Sequence, residues 1–158
     1  MGSHYKVCCA LCSAQLLRRL RLWVCSGEPL PASLAEQFFA HFSSVGLQDH
    51  WLCNFYGSTE VMGDVTFHVL RSGEDVRGLD KVAIGRPLDN TLVYLLDEHF
   101  RPALAGQPGE LFVAGRNLAA GYVAGRDPHR FLNNPLAVHP GEQPGSPPER
   151  PRASVRNL

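Results

Sequence analysis

Lysine is scarce in this 158-residue chain, since only Lys6 and Lys81 of the fifteen basic residues are lysines. Any chemistry that requires a lysine therefore has only two candidates. Acidic residues also number fifteen, so the formal net charge is zero. A neutral chain gives no sign of a nucleic-acid or membrane-surface partner. No apolar run approaches the roughly 20 residues that span a bilayer. We therefore expect neither a nucleic-acid nor a membrane partner.

The cysteines and histidines do not form a recognisable metal or disulfide pattern. One C-x-x-C is not followed by a second pair, and the histidines show no metal-ligand spacing. An odd number of irregularly spaced cysteines favours reduced thiols and a cytoplasmic location. The cysteines are Cys8, Cys9, Cys12, Cys25 and Cys53.

The first part of the chain has the pattern of a parallel β-α-β layer. A helix is predicted over 6–19. It is followed by a strand over 21–25, a second helix over 31–42 and a second strand over 51–56. In the second helix Pro31 suits the first turn. Leu34, Phe38 and Phe42 recur at intervals of four, which indicates an apolar helix face. This order of elements is typical of an α/β fold.

The rest of the chain has a different pattern. Three short strands are predicted over 65–70, 91–97 and 109–115, and their turn-rich connections indicate antiparallel hairpins. The last residues are rich in Pro, Gly, Ser and Arg, and such a segment is predicted to be disordered. We therefore expect a partial domain over 1–135, in which the layer runs into a small antiparallel β-rich unit, and a disordered tail over 136–158.

A cluster of polar residues follows the strand predicted over 51–56. Tyr56 offers an aromatic face for a purine ring, and Gly57 allows a close backbone approach. The hydroxyls of Ser58 and Thr59 can donate to phosphate oxygens. Glu60 offers the kind of oxygen ligand that Mg²⁺ prefers. A turn that uses its glycine for backbone geometry and its hydroxyls as caps remains the alternative.

Four motifs in order resemble those of the adenylate-forming enzymes, specifically the amino-acid adenylation domains of nonribosomal peptide synthetases. "NFYGSTE" (54–60) resembles N-x-Y-G-x-T-E. "LWVCSGEPLP" (22–31) resembles the Gly-Gly-Glu strand and turn, with Ser26 in place of the first glycine. Residues 84–123 resemble the segment that ends in G-E-L-x-x-x-G-x-x-x-A-x-G-Y, and "RFLNNP" (130–135) resembles F-x-x-N-P. Within the family the first motif is most similar to that of the Ebony-type β-alanyl-amine synthases.

The resemblance implies a role for each matched residue. Thr59 would bind the α-phosphate of ATP and Glu60 would hold Mg²⁺, and these two are the expected catalytic residues. The expected nucleotide-binding residues are Ser26, Gly27, Glu28, Asn54, Phe55, Tyr56, Gly57, Ser58 and Thr59. The acyl pocket would be lined by Trp23, Cys25, Phe55, Gly63 and Asp64. Asp64 would pair with the substrate ammonium, and a solvated loop aspartate is the alternative.

The implied activity is the ATP- and Mg²⁺-dependent activation of an amino acid such as β-alanine. In the parent protein the product would be transferred to the phosphopantetheine thiol of a carrier-protein domain. The 158 residues contain neither the family's Pro-Lys-Gly loop nor its Y-R-T-G-D motif, and no lysine in a matching lid motif. We therefore expect a partial domain that is not catalytic alone. The alternatives are a non-catalytic remnant that binds a nucleotide or a protein partner, and a fatty-acyl or aryl-CoA ligase relative.

Overall fold

The computed structural model describes residues 19–134 and 152–155, which belong to two compact units. The first unit comprises residues 19–54 and 68–85, and the second comprises 55–67, 86–134 and 152–155. The helix predicted over 6–19 lies outside the described residues except for its last position.

The first unit contains the predicted β-α-β arrangement. Strand β1 (Leu22–Cys25), helix α1 (Ala32–Ser44) and strand β2 (Trp51–Ser58) follow one another along the chain. The strands β1 and β2 are parallel, with Leu22 opposite Trp51 and Cys25 opposite Asn54. The prediction of a parallel layer is therefore confirmed. Within residues 19–134 and 152–155, no helix is long and apolar enough to cross a bilayer.

Helix α1 is held by the apolar face that its sequence predicts. Ala35, Phe38 and Phe42 are all buried, and Trp23 of β1 packs against both phenylalanine rings at 5.5–5.7 Å between centroids. Pro31 lies one residue before the helix, at the N-cap, where its missing N–H leaves no donor unsatisfied. The buried core of this unit consists of Leu30, Ala32, Ala35, Phe38, Phe42, Leu52, Leu70, Val76 and Val82.

Strand β2 continues into the second unit, where it ends in a tight connection to β3. A 3₁₀ helix (Thr59–Val61) follows β2, and strand β3 (Gly63–Leu70) begins two residues later. Met62 has a φ of 53°, so the chain reverses through a left-handed residue. Strand β4 (Arg86–Pro87) pairs antiparallel with β3. The first sheet has the strand order β1-β2-β3-β4.

A second sheet contains two of the three strands predicted for the β-rich part, whereas the third, β3, belongs to the first sheet. Strands β5 (Thr91–Leu96) and β6 (Glu110–Gly115) form an antiparallel hairpin. Strand β7 (Phe131–Leu132) and strand β8 (Arg152–Val155) complete the order β5-β6-β8-β7. All of these pairings are antiparallel, which confirms the predicted class of this sheet.

The structure describes four residues of the tail over 136–158 that the sequence predicts to be disordered. Arg152–Val155 form β8, which pairs with both β6 and β7. The unpaired N–H and C=O groups along β6 are a template for another strand, and the short segment provides the matching backbone. Composition alone does not reveal such pairing, because it depends on an edge that is distant in the sequence. The rest of the predicted tail lies outside the described residues.

Gly57 allows β2 and β3 to approach closely beside their connection. A Cβ atom at residue 57 would lie 1.8 Å from the carbonyl oxygen of Gly63 and 2.7 Å from Cα of Asp64. Both neighbours are backbone atoms, which cannot move aside as a flexible side chain would. The residue at position 57 must therefore be glycine in this backbone arrangement.

We predict that Gly57→Ala lowers the free energy of unfolding by about 1–3 kcal/mol or more, because overpacking at this contact forces the backbone to shift. Gly73→Ala is the matched control, since a Cβ there would meet its nearest neighbours at an ordinary 3.9–4.0 Å. Urea unfolding followed by circular dichroism measures both changes. Equal stabilities of the two variants would contradict the close approach.

Candidate functional site

The cluster predicted from the sequence lies where β2 passes into the 3₁₀ helix of the second unit. Tyr56, Gly57 and Ser58 are the last residues of β2, and Thr59 and Glu60 begin the 3₁₀ helix. Thr59 is exposed and Glu60 is half-buried. A hydroxyl and a carboxylate therefore follow each other on a single short turn, accessible from outside the core.

A loop more than fifty residues further along the chain contacts Glu60 at two points. The hydroxyl of Tyr122 donates a hydrogen bond to Oε1 of Glu60. The backbone N–H of Ala119 donates to the backbone carbonyl of Glu60 over 2.8 Å. Sequence reasoning assigned no role to Tyr122, although it is the final tyrosine of the G-Y segment. The position of that tyrosine in a motif was the signal that could have identified it.

The surroundings of Glu60 favour its charged form. Burial raises the pKa of the carboxyl, but the hydrogen bond from Tyr122 lowers it, and the Ser58 hydroxyl and the Glu60 N–H act in the same direction. The nearby Arg130 guanidinium adds to this effect, and the pKa of Glu60 lies below its ordinary value. In turn, the hydrogen bond to Glu60 raises the pKa of Tyr122. The carboxylate is therefore ionised at neutral pH.

Arg130 is held beside this cluster by its own partner. Its Nε atom lies 3.2 Å from Oδ2 of Asp127, and this bond raises the pKa of Arg130. Phe131, the next residue, packs against the Tyr122 ring in a T-shaped arrangement, with 5.6 Å between ring centroids. The segment that resembles F-x-x-N-P thus supplies a cation and a packing surface next to Glu60. Sequence reasoning had given neither residue a role.

The other predicted nucleotide-binding residues of the second unit are accessible to different degrees. Tyr56 is half-buried, and burial, followed by the charge of Glu60, raises the pKa of its phenol. The Ser58 Oγ atom is buried and has no hydrogen-bond partner among the described residues. The space beside Gly57 is filled by the backbone of β3. Its predicted role toward a ligand stays a prediction.

Four predicted nucleotide-binding residues belong to the first unit. Ser26, Gly27 and Glu28 form the exposed turn that follows β1, and Gly27 has a φ of 89° that favours glycine. Asn54 is buried on β2, and its Nδ2 atom donates to the carbonyl of Ala83 over 3.0 Å. This hydrogen bond gives Asn54 a structural role. The predicted ligand contacts of the four residues stay predictions.

The residues predicted to line the acyl pocket are divided between the units. Trp23 and Cys25 pack against the core of the first unit, and Trp23 Nε1 donates to Nδ1 of buried His50 over 3.4 Å. Burial, followed by the charge of Cys53, raises the pKa of the Cys25 thiol. Cys25 therefore remains a neutral, weakly polar side chain.

In the second unit, Phe55 stacks on Phe67 with 6.0 Å between ring centroids. The guanidinium of Arg86 lies 5.0 Å from the centre of the Phe67 ring on β3. Gly63 and Asp64 are the first residues of β3, and Asp64 is half-buried. Phe55 and Asp64 are thus held on adjoining strands of one unit, and their predicted contact with a substrate remains untested.

A separate cavity of about 460 Å³ lies in the second unit. It shares no residue with the predicted nucleotide or acyl sites, and its walls combine aromatic, acidic and basic side chains. Among the described residues, no group of three or more His, Cys, Asp or Glu side chains is placed to hold a metal ion. The cavity is lined by Phe100, Glu110, Phe112, Asp127, His129, Arg130 and Leu132.

The arrangement around Glu60 fits Mg²⁺ bound together with phosphates. Mg²⁺ is usually held by one or two carboxylates, with water and phosphate oxygens completing its shell. Glu60 provides one ionised carboxylate, and Tyr122 uses a single position on it. A carboxylate has about four acceptor positions, so others remain for a metal. The exposed hydroxyl of Thr59 lies on the adjacent residue.

Comparison with known proteins assigns the chain to a family. A sequence model of the family described as AMP-binding enzyme matches residues 4–123. Because this match covers well over half of the chain, the protein belongs to the AMP-binding enzyme family. Its fold and its relatives define an adenylate-forming domain of the nonribosomal-peptide-synthetase type.

Two curated relatives and one solved structure show this similarity. The chain is 58% identical over 124 residues to the beta-alanyl-bioamine nonribosomal peptide synthetase ebony of Drosophila melanogaster, covering 78% of this chain and 14% of that protein. It is 39% identical over 118 residues to phosphinothricin tripeptide synthetase PhsB of Streptomyces viridochromogenes, covering 73% and 9%. The structure of PA1221, an NRPS protein containing adenylation and PCP domains, matches with a TM-score of 0.66 and 26% identity, covering 92% and 26%. The chain thus spans a small part of these relatives.

We predict that the ionised Glu60 carboxylate stabilises the folded protein and that this stabilisation is lost in acid. Because the pKa of Glu60 is lower in the folded state, its contribution is fully present above the unfolded-state pKa of about 4.3. It is lost as the pH falls through the lower folded-state pKa. In urea unfolding between neutral pH and pH 3, Glu60→Gln should therefore lose less stability than the parent chain.

Glu36→Gln, which changes an exposed carboxyl on α1, is the control and should follow the parent chain. A Glu60→Gln variant whose stability falls with acid as steeply as that of the parent would refute the prediction.

Proposed function

We propose that this chain is part of an amino-acid adenylation domain that binds ATP and Mg²⁺ through the turn at Thr59 and Glu60. The reaction of the whole domain joins a carboxylate to the α-phosphorus of ATP, giving an acyl-adenylate and releasing pyrophosphate. The observation that carries this proposal is the ionised Glu60 carboxylate, fixed on the turn directly after β2 by the hydroxyl of Tyr122.

The chain's own residues would position the nucleotide and balance its charge. Thr59 is exposed beside Glu60, where its hydroxyl can donate to the α-phosphate. Glu60 would hold Mg²⁺, which offsets the negative charge that develops as pyrophosphate leaves. Tyr56 is half-buried on the same strand end and offers an aromatic face to the adenine.

We propose β-alanine or a similar small amino acid as the substrate. The relative that is 58% identical is described as a beta-alanyl-bioamine nonribosomal peptide synthetase. Asp64 is the second residue of β3, and Phe55 lies on the neighbouring strand β2; the Asp64 carboxylate would pair with the substrate ammonium. An aryl or fatty-acyl substrate has no ammonium group for Asp64 to bind, which is why we favour an amino acid.

The whole protein would pass its acyl group to the phosphopantetheine thiol of a carrier-protein domain. This follows the architecture described for the relative PA1221, which contains adenylation and PCP domains. We propose a cytoplasmic location for the protein. Cys25 and Cys53 lie on the paired strands β1 and β2 and are nevertheless free thiols, as expected in a reducing compartment.

The 158 residues by themselves are not expected to catalyse adenylation. They include no Pro-Lys-Gly loop and no Y-R-T-G-D segment, and removing even one group that acts in the transition state typically costs about 10²–10³ in rate. Pyrophosphate exchange with this chain alone should therefore give no signal. Binding of a nucleotide without catalysis is the function expected of these residues in isolation.

We predict that the chain binds ATP in the presence of Mg²⁺, and that Glu60→Gln and Thr59→Ala weaken this binding about tenfold, because each removes a charged or hydrogen-bonding contact to the ligand. Titration of Mg²⁺·ATP followed by tyrosine and tryptophan fluorescence measures the affinity. Glu36→Gln on α1 is the control and should bind like the parent chain. No response of the parent chain at millimolar Mg²⁺·ATP would favour a remnant that no longer binds nucleotide.

We predict that Asp64→Asn lowers kcat/KM for β-alanine about 10- to 100-fold, since it removes the charge that pairs with the ammonium. The measurement is β-alanine-dependent pyrophosphate exchange by a chimaera in which residues 20–134 replace the matching segment of the ebony synthetase. Asp89→Asn, at an exposed position of the same unit, is the control. Unchanged turnover of the Asp64→Asn chimaera would remove Asp64 from the substrate site.

A further inference from the structure

Two hydrogen bonds connect Glu60 to the loop that ends at Tyr122, and they act on different parts of the residue. The N–H of Ala119 holds the backbone carbonyl of Glu60 at 2.8 Å. The Tyr122 hydroxyl holds its carboxylate at Oε1. The first bond fixes where the 3₁₀ turn lies, and the second fixes where the carboxylate points. Only the second can select a side-chain rotamer.

The Tyr122 ring has a packing contact of its own, apart from the hydrogen bond that its hydroxyl donates. The ring is half-buried and meets the edge of Phe131 at an interplanar angle of 78°. Gly121, which precedes it, has a φ of 133°, a backbone conformation that glycine adopts readily. The phenol oxygen is therefore brought to Glu60 by a ring whose orientation is set by packing and by the backbone.

A fixed donor on a metal-binding carboxylate affects metal affinity. Residues that hydrogen-bond to metal ligands orient those ligands, and their removal typically costs 10- to 100-fold in affinity. Without the Tyr122 hydroxyl, a half-exposed glutamate would sample several rotamers and would lose conformational entropy each time it bound a cation. The second unit thus contains the elements of an oriented metal ligand.

We propose that Tyr122 is a positioning residue that holds the Glu60 carboxylate in the rotamer that binds Mg²⁺. The proposal rests on the proposed function, because it assumes that Glu60 is the metal ligand. It extends that function to a residue of a distant loop. It also gives the G-Y end of the segment over 84–123 a specific task, namely to donate one hydrogen bond to the turn at Glu60.

The test is the binding of Mn²⁺·ATP to the full 158-residue chain, measured by electron paramagnetic resonance of the free Mn²⁺. Tyr122→Phe removes one hydroxyl and keeps the ring that contacts Phe131. It should weaken binding by about tenfold or more. Tyr94→Phe removes a hydroxyl from half-buried Tyr94 on β5 and should leave binding unchanged. Equal affinities of Tyr122→Phe and the parent chain would overturn the proposal while the proposed function stands.

A double-variant cycle separates positioning from a general loss of stability. If Tyr122 acts through the carboxylate, Tyr122→Phe should cost little further affinity in a Glu60→Gln background. If Tyr122→Phe instead disturbed the whole unit, it would weaken binding by the same factor in the parent chain and in the Glu60→Gln variant. Additive losses in the cycle would therefore count against the proposal.

A second readout does not depend on metal binding. Nuclear magnetic resonance couplings of the Glu60 side chain should show one rotamer in the parent chain and averaging in Tyr122→Phe. If the parent chain binds no Mn²⁺·ATP, the proposed function fails, and the couplings still decide whether Tyr122 orients Glu60. Averaged couplings in the parent chain, or unchanged ones in Tyr122→Phe, would overturn the proposal.

Discussion

The site depends on keeping one carboxylate charged in a partly buried turn. Burial raises the pKa of Glu60 and so opposes its charged form. The Tyr122 hydroxyl and the nearby Arg130 reverse this tendency. Both of them lie between β6 and β7 in the chain, so the β-rich unit does more than extend the fold. It supplies the groups that favour the charged form of the Glu60 carboxylate.

Local features of the sequence were sufficient to predict helix α1. The apolar spacing of Leu34, Phe38 and Phe42 predicted α1, and the helix buries the two phenylalanines. The motif could have identified Tyr122 as a site residue, but not its partner Glu60, because the contact joins residues 62 positions apart. Strand β8 was missed for the same reason, since its pairing depends on the edge of β6. Patterns within a segment indicate its conformation and do not identify its distant partners.

Two predicted site residues have structural tasks that the motif did not reveal. Gly57 was predicted to admit a ligand, and the group that approaches it is the backbone of Gly63. Trp23 was predicted to line the acyl pocket, and it packs against α1 and bonds to His50. A glycine indicates that something comes close, and an aromatic residue indicates apolar contact. Neither residue type tells which group provides that contact.

The most direct test of the account is to locate Mn²⁺·ATP on the chain by its paramagnetic broadening of backbone amide signals. If the Glu60 carboxylate is the cation ligand, broadening should be strongest at Thr59 and Glu60 and should extend to Tyr122, which contacts Glu60 directly. Broadening centred on the cavity beside Phe100 and His129, or no broadening of the turn at saturating Mn²⁺·ATP, would contradict the account.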